Sequence, residues 1–83
     1  MKSAREKKVQ LSVNFTDRNL ARPLLEDLGR DRALSVNILR GRITHEEASF
    51  QIEVTGSTHR VDDLLRVSSK WGALVRTLSS GVA

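Results

Sequence analysis

The chain has 83 residues, no cysteine, and a formal charge of +4 from fourteen basic and ten acidic side chains. That length bounds it to one domain with a small core, burying roughly 60% of the surface its unfolded chain exposes. Disulfides and thiolate metal sites are excluded, and two histidines do not make a usual structural zinc site, so self-association is the supplement expected of so small a fold.

Residues 1–8 carry Lys2, Arg5, Lys7 and Lys8 against Glu6, a net of +3, which leaves +1 for the remaining 75 residues. This concentrates the basic excess in an expected flexible N-terminal tail. No apolar run follows it, so it is not read as a secretory signal. No stretch approaches the roughly 20 apolar residues of a membrane span, and the expectation is a soluble, cytoplasmic protein with no membrane insertion.

The first strand is "VQLSVNFT". Val9, Leu11, Val13 and Phe15 alternate with Gln10, Ser12, Asn14 and Thr16, the period of a half-buried strand. In "DRNLARPLLEDLGRDR", Pro23 suits a first helical position, so a helix is expected from about 22 to 32, with Leu24, Leu25 and Leu28 on one face and Gly29 weakening its end. "LSVNILRGRIT", 34–44, is a second strand. Val36 and Ile38 point one way, Asn37 and Leu39 the other, and Arg40-Gly41-Arg42 reads as its solvated end. After the turn "HEE", the strand "ASFQIEVT" points Phe50, Ile52 and Val54 inward, which makes an antiparallel hairpin.

A second helix follows in "GSTHRVDDLLRVSSKWG". Ser57 or Thr58 is its N-cap, Asp62 and Asp63 are placed near its positive end, and Gly72 is its C-terminal cap. "ALVRTL" is a short last strand, with 79–83 expected to fray as a C-terminal tail. The order βαββαβ is the ferredoxin-like, α+β arrangement: a four-stranded antiparallel sheet in the order 4-1-3-2, with both helices on one face. Strands two and four are edges, and the open face, with Leu39 and Leu74, is expected to be half apolar.

Chemistry is sparse. The glycines fit no phosphate loop and no nucleophile motif occurs, so catalytic residues, cofactors and metal sites are all expected to be absent. His45 and His59 read as solvated, and Trp71 as a cap over the edge of the core. The open-face positions of the central strands, Gln10, Ser12, Asn14, Gln51 and Glu53, include no aromatic side chain on which a base could stack, which disfavours sequence-specific RNA binding. Asn37 is the one polar side chain with a candidate binding role. Its amide offers an acceptor and two donors beside the apolar Ile38 and Leu39.

At "VNIL" the chain resembles the NIL domain, the C-terminal regulatory part of methionine-importing ABC transporter ATPase subunits, which also occurs fused to ferredoxin modules and as a free-standing protein. The likeness covers roughly 9–78 and rests on "FT", "PLL", "VNIL", "FQIEV" and "WGALVRTL" at matching spacing; Ala48 stands where that family has a glycine. The resemblance implies an ACT-like, non-catalytic sensor that forms a homodimer and binds methionine or a related sulfur amino acid near its interface. It places Asn37, Ile38 and Leu39 at the ligand. Its alternative implication is an interaction module serving a transporter or ferredoxin-type partner with no ligand of its own.

Overall fold

A computed structural model describes residues 6–82, apart from the side chain of Val82. It has the ferredoxin-like order β1 (Glu6–Phe15), α1 (Ala21–Arg30), β2 (Leu34–Ile43), β3 (Ala48–Ser57), α2 (Thr58–Val67) and β4 (Ala73–Val82), with 3-10 turns at Arg18–Leu20 and Ser68–Lys70. The four strands form one antiparallel sheet in the order β2-β3-β1-β4. The alternating apolar sets explain the core. Val9, Leu11, Val13 and Phe15 of β1 and Phe50, Ile52 and Val54 of β3 are all buried, under Ala21 and Leu28 of α1 and Val61 and Leu64 of α2.

Several boundaries differ from expectation. The segment 1–8 is not wholly a tail, because β1 begins at Glu6 and Lys7 pairs with Gly56 on one side and Val82 on the other. Residues 1–5 lie outside the described residues. β4 likewise runs through most of the expected C-terminal tail. Lys7 points to the helix side of the sheet, where its Nζ meets Asp62 Oδ1 at 2.7 Å. Asp63 pairs with Arg66 one turn on, and no acid occupies the first turn of α2. The two aspartates therefore bind cations of β1 and of their own helix rather than serving the helix N-terminus. Ser57 is the N-cap, accepting from the Arg60 backbone N–H at 3.4 Å. Pro23 is the third residue of α1, whose start is prepared by the 3-10 turn capped by Asp17. Trp71 is half-buried and packs against the core, as a cap over its edge should. Gly72, at φ 71°, turns the chain into β4.

Two bulges decide what each edge presents. In β2 the ladder pairs Ile38 with Ile52 and then Arg40 with Gln51, so Leu39 is an extra residue outside the pairing. In β4 it passes from Ser79 opposite Gln10 to Thr77 opposite Leu11, leaving Leu78 extra. The bulge in β2 changes the phase of everything after it. Arg40 and Arg42 join Asn37 on the open face, while Gly41 and Ile43 turn to the helix side. The Arg40-Gly41-Arg42 triplet is the exposed end of the strand, as expected, and the bulge sets which face its side chains take. The open face is polar, not half apolar: Asn37, Arg40 and Arg42 of β2, Ser49, Gln51 and Glu53 of β3, Gln10, Ser12 and Asn14 of β1, and Leu74 and Arg76 of β4.

Candidate functional site

The structure separates the three residues that the resemblance brings together. Asn37 is exposed on the open face opposite Glu53, Ile38 faces the helix side beside Ile52 at the sheet edge, and Leu39 is the bulge residue. Ile38 and Leu39 remain 54% and 48% exposed. None of the three lines any of the four cavities described here. Ala48, at the position of the family glycine, is buried in the core opposite Phe15.

A cavity of about 380 Å³ lies instead where the start of α1 passes over the hairpin end of β2. Buried Ala21 and Phe50 and half-buried Leu25 form its floor; exposed Ile43 closes one side. Arg18, Arg22 and Glu26 stand at its mouth, all exposed. The helical arrangement explains that row. The three polar residues are four apart in sequence and so succeed one another on one side of the helix, while Ala21 and Leu25 turn toward the sheet. Among the described residues no ion pair takes up either guanidinium or the Glu26 carboxylate.

The β2–β3 connection fixes the sheet side of the cavity. Thr44 closes it, with its N–H donating to Glu47 O at 2.9 Å and its Oγ accepting from Glu47 N–H at 3.0 Å. Phe50 is held by a missing side chain. A Cβ at Gly41 would lie 3.1 Å from its Cδ1 and 3.2 Å from its Cε1, so the ring rests directly on the glycine of the neighbouring strand.

The arrangement offers an apolar slot with two cations and one anion at its opening, within the usual size of small-molecule sites. Its lining side chains include no Ser, Thr, Cys, His, Lys or Tyr. His45 and His59 are both exposed and line none of the four cavities. Among the described residues no group of three or more His, Asp or Glu side chains could hold a metal ion, and no helix is long and apolar enough to cross a membrane. Sequence reasoning missed this cavity because its lining comes from α1, β2 and β3 together. The one local signal was the i, i+4, i+8 row Arg18, Arg22, Glu26 beside an apolar face.

No family model and no curated protein matches the chain. Among solved structures it is similar to a de novo designed protein, Foldit4, at 17% identity and a TM-score of 0.56, over 92% of this chain and 96% of that one. At that identity the likeness concerns the fold alone.

Proposed function

We propose that the chain is a non-catalytic sensing module that takes methionine or a related amino acid in the cavity between α1 and the end of β2, and that it works as a homodimer paired along the β2 edge. The observation that carries this reading is the chemistry of the cavity. An α-amino acid needs a cation for its carboxylate, an anion for its ammonium and an apolar wall for its side chain. Arg18 and Arg22 offer guanidinium forks suited to bidentate carboxylate binding. Glu26 offers the anion. Leu25, Ile43 and the Phe50 ring offer the wall, and a thioether sulfur gains from an aromatic neighbour.

The dimer reading rests on the β2 edge, where Ile38, Leu39 and Ile43 are 54%, 48% and 63% exposed beside free backbone groups. Stacking of two open faces with like halves superposed is disfavoured, because it would bring Arg40, Arg42 and Arg76 of each copy together. In an edge-paired dimer Asn37 stands at the seam.

Thermal unfolding with a panel of amino acids tests the ligand. Methionine at a hundredfold excess over its dissociation constant should stabilise by about 2.7 kcal/mol. Arg22→Ala should remove that shift, and Asn37→Ala should leave it; the reverse pattern would move the site to the β2 edge. No shift with methionine, homocysteine or cysteine at millimolar concentration would sink the sensing role.

A second reading, an interaction module for a transporter or ferredoxin-type protein without its own ligand, is favoured by one observation. The far edge also exposes apolar side chains, Leu74 at 64% and Leu78 at 48%, which β2 pairing would leave uncovered.

A further inference from the structure

The ion pairs of the domain lie off the open face of the sheet. Among the described residues, the four ion pairs, Lys7–Asp62, Arg30–Asp27, Arg60–Asp31 and Arg66–Asp63, are all made by side chains that lie off the open face. Four cations on the open face, Lys8, Arg40, Arg42 and Arg76, take part in none, and all four are exposed. The three arginines cluster on the half of the sheet nearest the β2–β3 connection. Two ladder rows define that half. One runs Arg76–Ser12–Gln51–Arg40 across all four strands, the next Leu74–Asn14–Ser49–Arg42. The acids of the open face, Glu6 and Glu53, lie in the other half with Lys8, and there Gln10 Nε2 donates to Glu53 at 3.4 Å. Glu47 borders only the hollow beyond Arg42 at the hairpin end.

We infer that this half of the open face is a docking surface for the phosphodiester backbone of single-stranded nucleic acid, bound by charge and hydrogen bonding without reading bases. Strands lie about 4.8 Å apart, so Arg40 and Arg76 stand about 14 Å apart across the sheet, while Arg40 and Arg42 are about 7 Å apart along β2. That geometry offers cations to successive phosphates of an extended strand rather than to one small anion. Between them lie Ser12, Asn14, Ser49 and Gln51; Ser49 Oγ donates to Asn14 Oδ1, which leaves the Ser12 hydroxyl and the Asn14 and Gln51 amide N–H groups as donors of the kind that meet phosphate and sugar oxygens. A cleft of about 140 Å³ runs between Arg40, Arg42 and Ser12, Ser49, Gln51. No aromatic side chain lies on this half, so base stacking contributes nothing and sequence preference is not expected.

Charge complementarity selects the occupant. A second copy stacked with its like half on this one brings the same three arginines together and repels, and the half that carries Glu6 and Glu53 also carries Lys8. A lipid surface would need apolar side chains to insert, and Leu74 is the only large one here. The site is on the opposite side of the sheet from the cavity under α1, and it stands whether or not that cavity binds an amino acid.

Fluorescence anisotropy of a labelled oligouridylate with the full chain, over a range of salt concentrations, tests it. Each phosphate neutralised on a single strand contributes about −0.7 to the slope of log K against log salt. The triple variant Arg40→Gln, Arg42→Gln, Arg76→Gln should therefore flatten the slope by about 2 and weaken binding at low salt, with an unchanged circular dichroism spectrum. The triple lysine variant should retain the slope. No binding at low salt overturns the inference. So does a slope that survives the glutamine substitutions, which would place binding on other cations of the chain. Displacement by polyglutamate as readily as by unlabelled oligouridylate would also overturn it, in favour of an acidic protein partner.

Discussion

Replacing Gly56 by alanine should destabilise the domain by about 2–3 kcal/mol and lower its melting midpoint by about 10–20 °C. For 83 residues the whole stability is on the order of 4–12 kcal/mol, so one methyl group removes a large share of it. The cause is a backbone crossing. Gly56 is the ninth residue of β3, and the chain entering β2 passes directly over it. A Cβ there would lie 2.7 Å from the carbonyl oxygen of Ala33 and 2.7 Å from Leu34 Cδ2. The leucine methyl can turn away, but the carbonyl cannot. Ala33 is fixed by its N–H bond to Asp31 Oδ1 at 2.9 Å, Leu34 by its N–H bond to Asp31 O at 3.2 Å, and Asp31 itself by its ion pair with Arg60 of α2. Opening the gap therefore loosens the junction of α1, β2 and α2 together. The same substitution at Gly29 meets nothing within 4 Å and, in a helical position, should be neutral or slightly stabilising. Thermal or urea unfolding of the two variants side by side checks the contrast; an equal, small effect at both positions would contradict the crossing.

Replacing Phe50 by alanine should cost about 3 kcal/mol, near the low end for a large buried ring because Phe50 sits near the hairpin end of β3 and is 8% exposed. Two structures depend on the ring. It covers Gly41, which has no side chain of its own to shield the β2 backbone, and it forms part of the floor of the cavity under α1. The loss should thus appear in both readouts, as a lower midpoint and as weakened amino-acid binding. Phe50→Leu, which keeps most of the apolar volume, should recover most of the stability. Urea denaturation with and without methionine separates the two effects. A variant as stable as the parent would show that Phe50 is not part of the core.

The fold was legible because β1 and β3 write their burial into the chain. "VQLSVNF" and "ASFQIEV" alternate without a break, and every apolar member is buried. Helix placement followed from Leu24, Leu25 and Leu28 and from the Ser57 cap. What was not legible depends on partners distant in sequence. The bulge at Leu39 is defined only by the register of β3 opposite it. Without that register the alternation of "VNILRGRI" carries Leu39 to the open face and leaves Arg40 and Arg42 as a solvated strand end with no face assigned. One extra residue reverses every later side chain, which turns an expected half-apolar face into a basic, polar one. Gly56 gave no sign of the chain crossing above it, and the pattern alone ends that strand at Thr55. The cavity was hidden for the same reason, since Ile43 reaches it only after the bulge has changed its face. Asn37 was placed correctly on the open face of the edge strand, and within the single chain it lines none of the four cavities.

The central claim is that an amino acid binds under α1 rather than at the Asn-Ile-Leu stretch. A titration of the isotope-labelled full chain with methionine, followed by amide and methyl NMR shifts, tests it most directly. The account predicts saturable shifts at Arg18, Arg22, Leu25, Ile43 and Phe50, lost in Arg22→Ala. Shifts confined to Asn37, Ile38 and Leu39, or none at all at millimolar methionine, would contradict it.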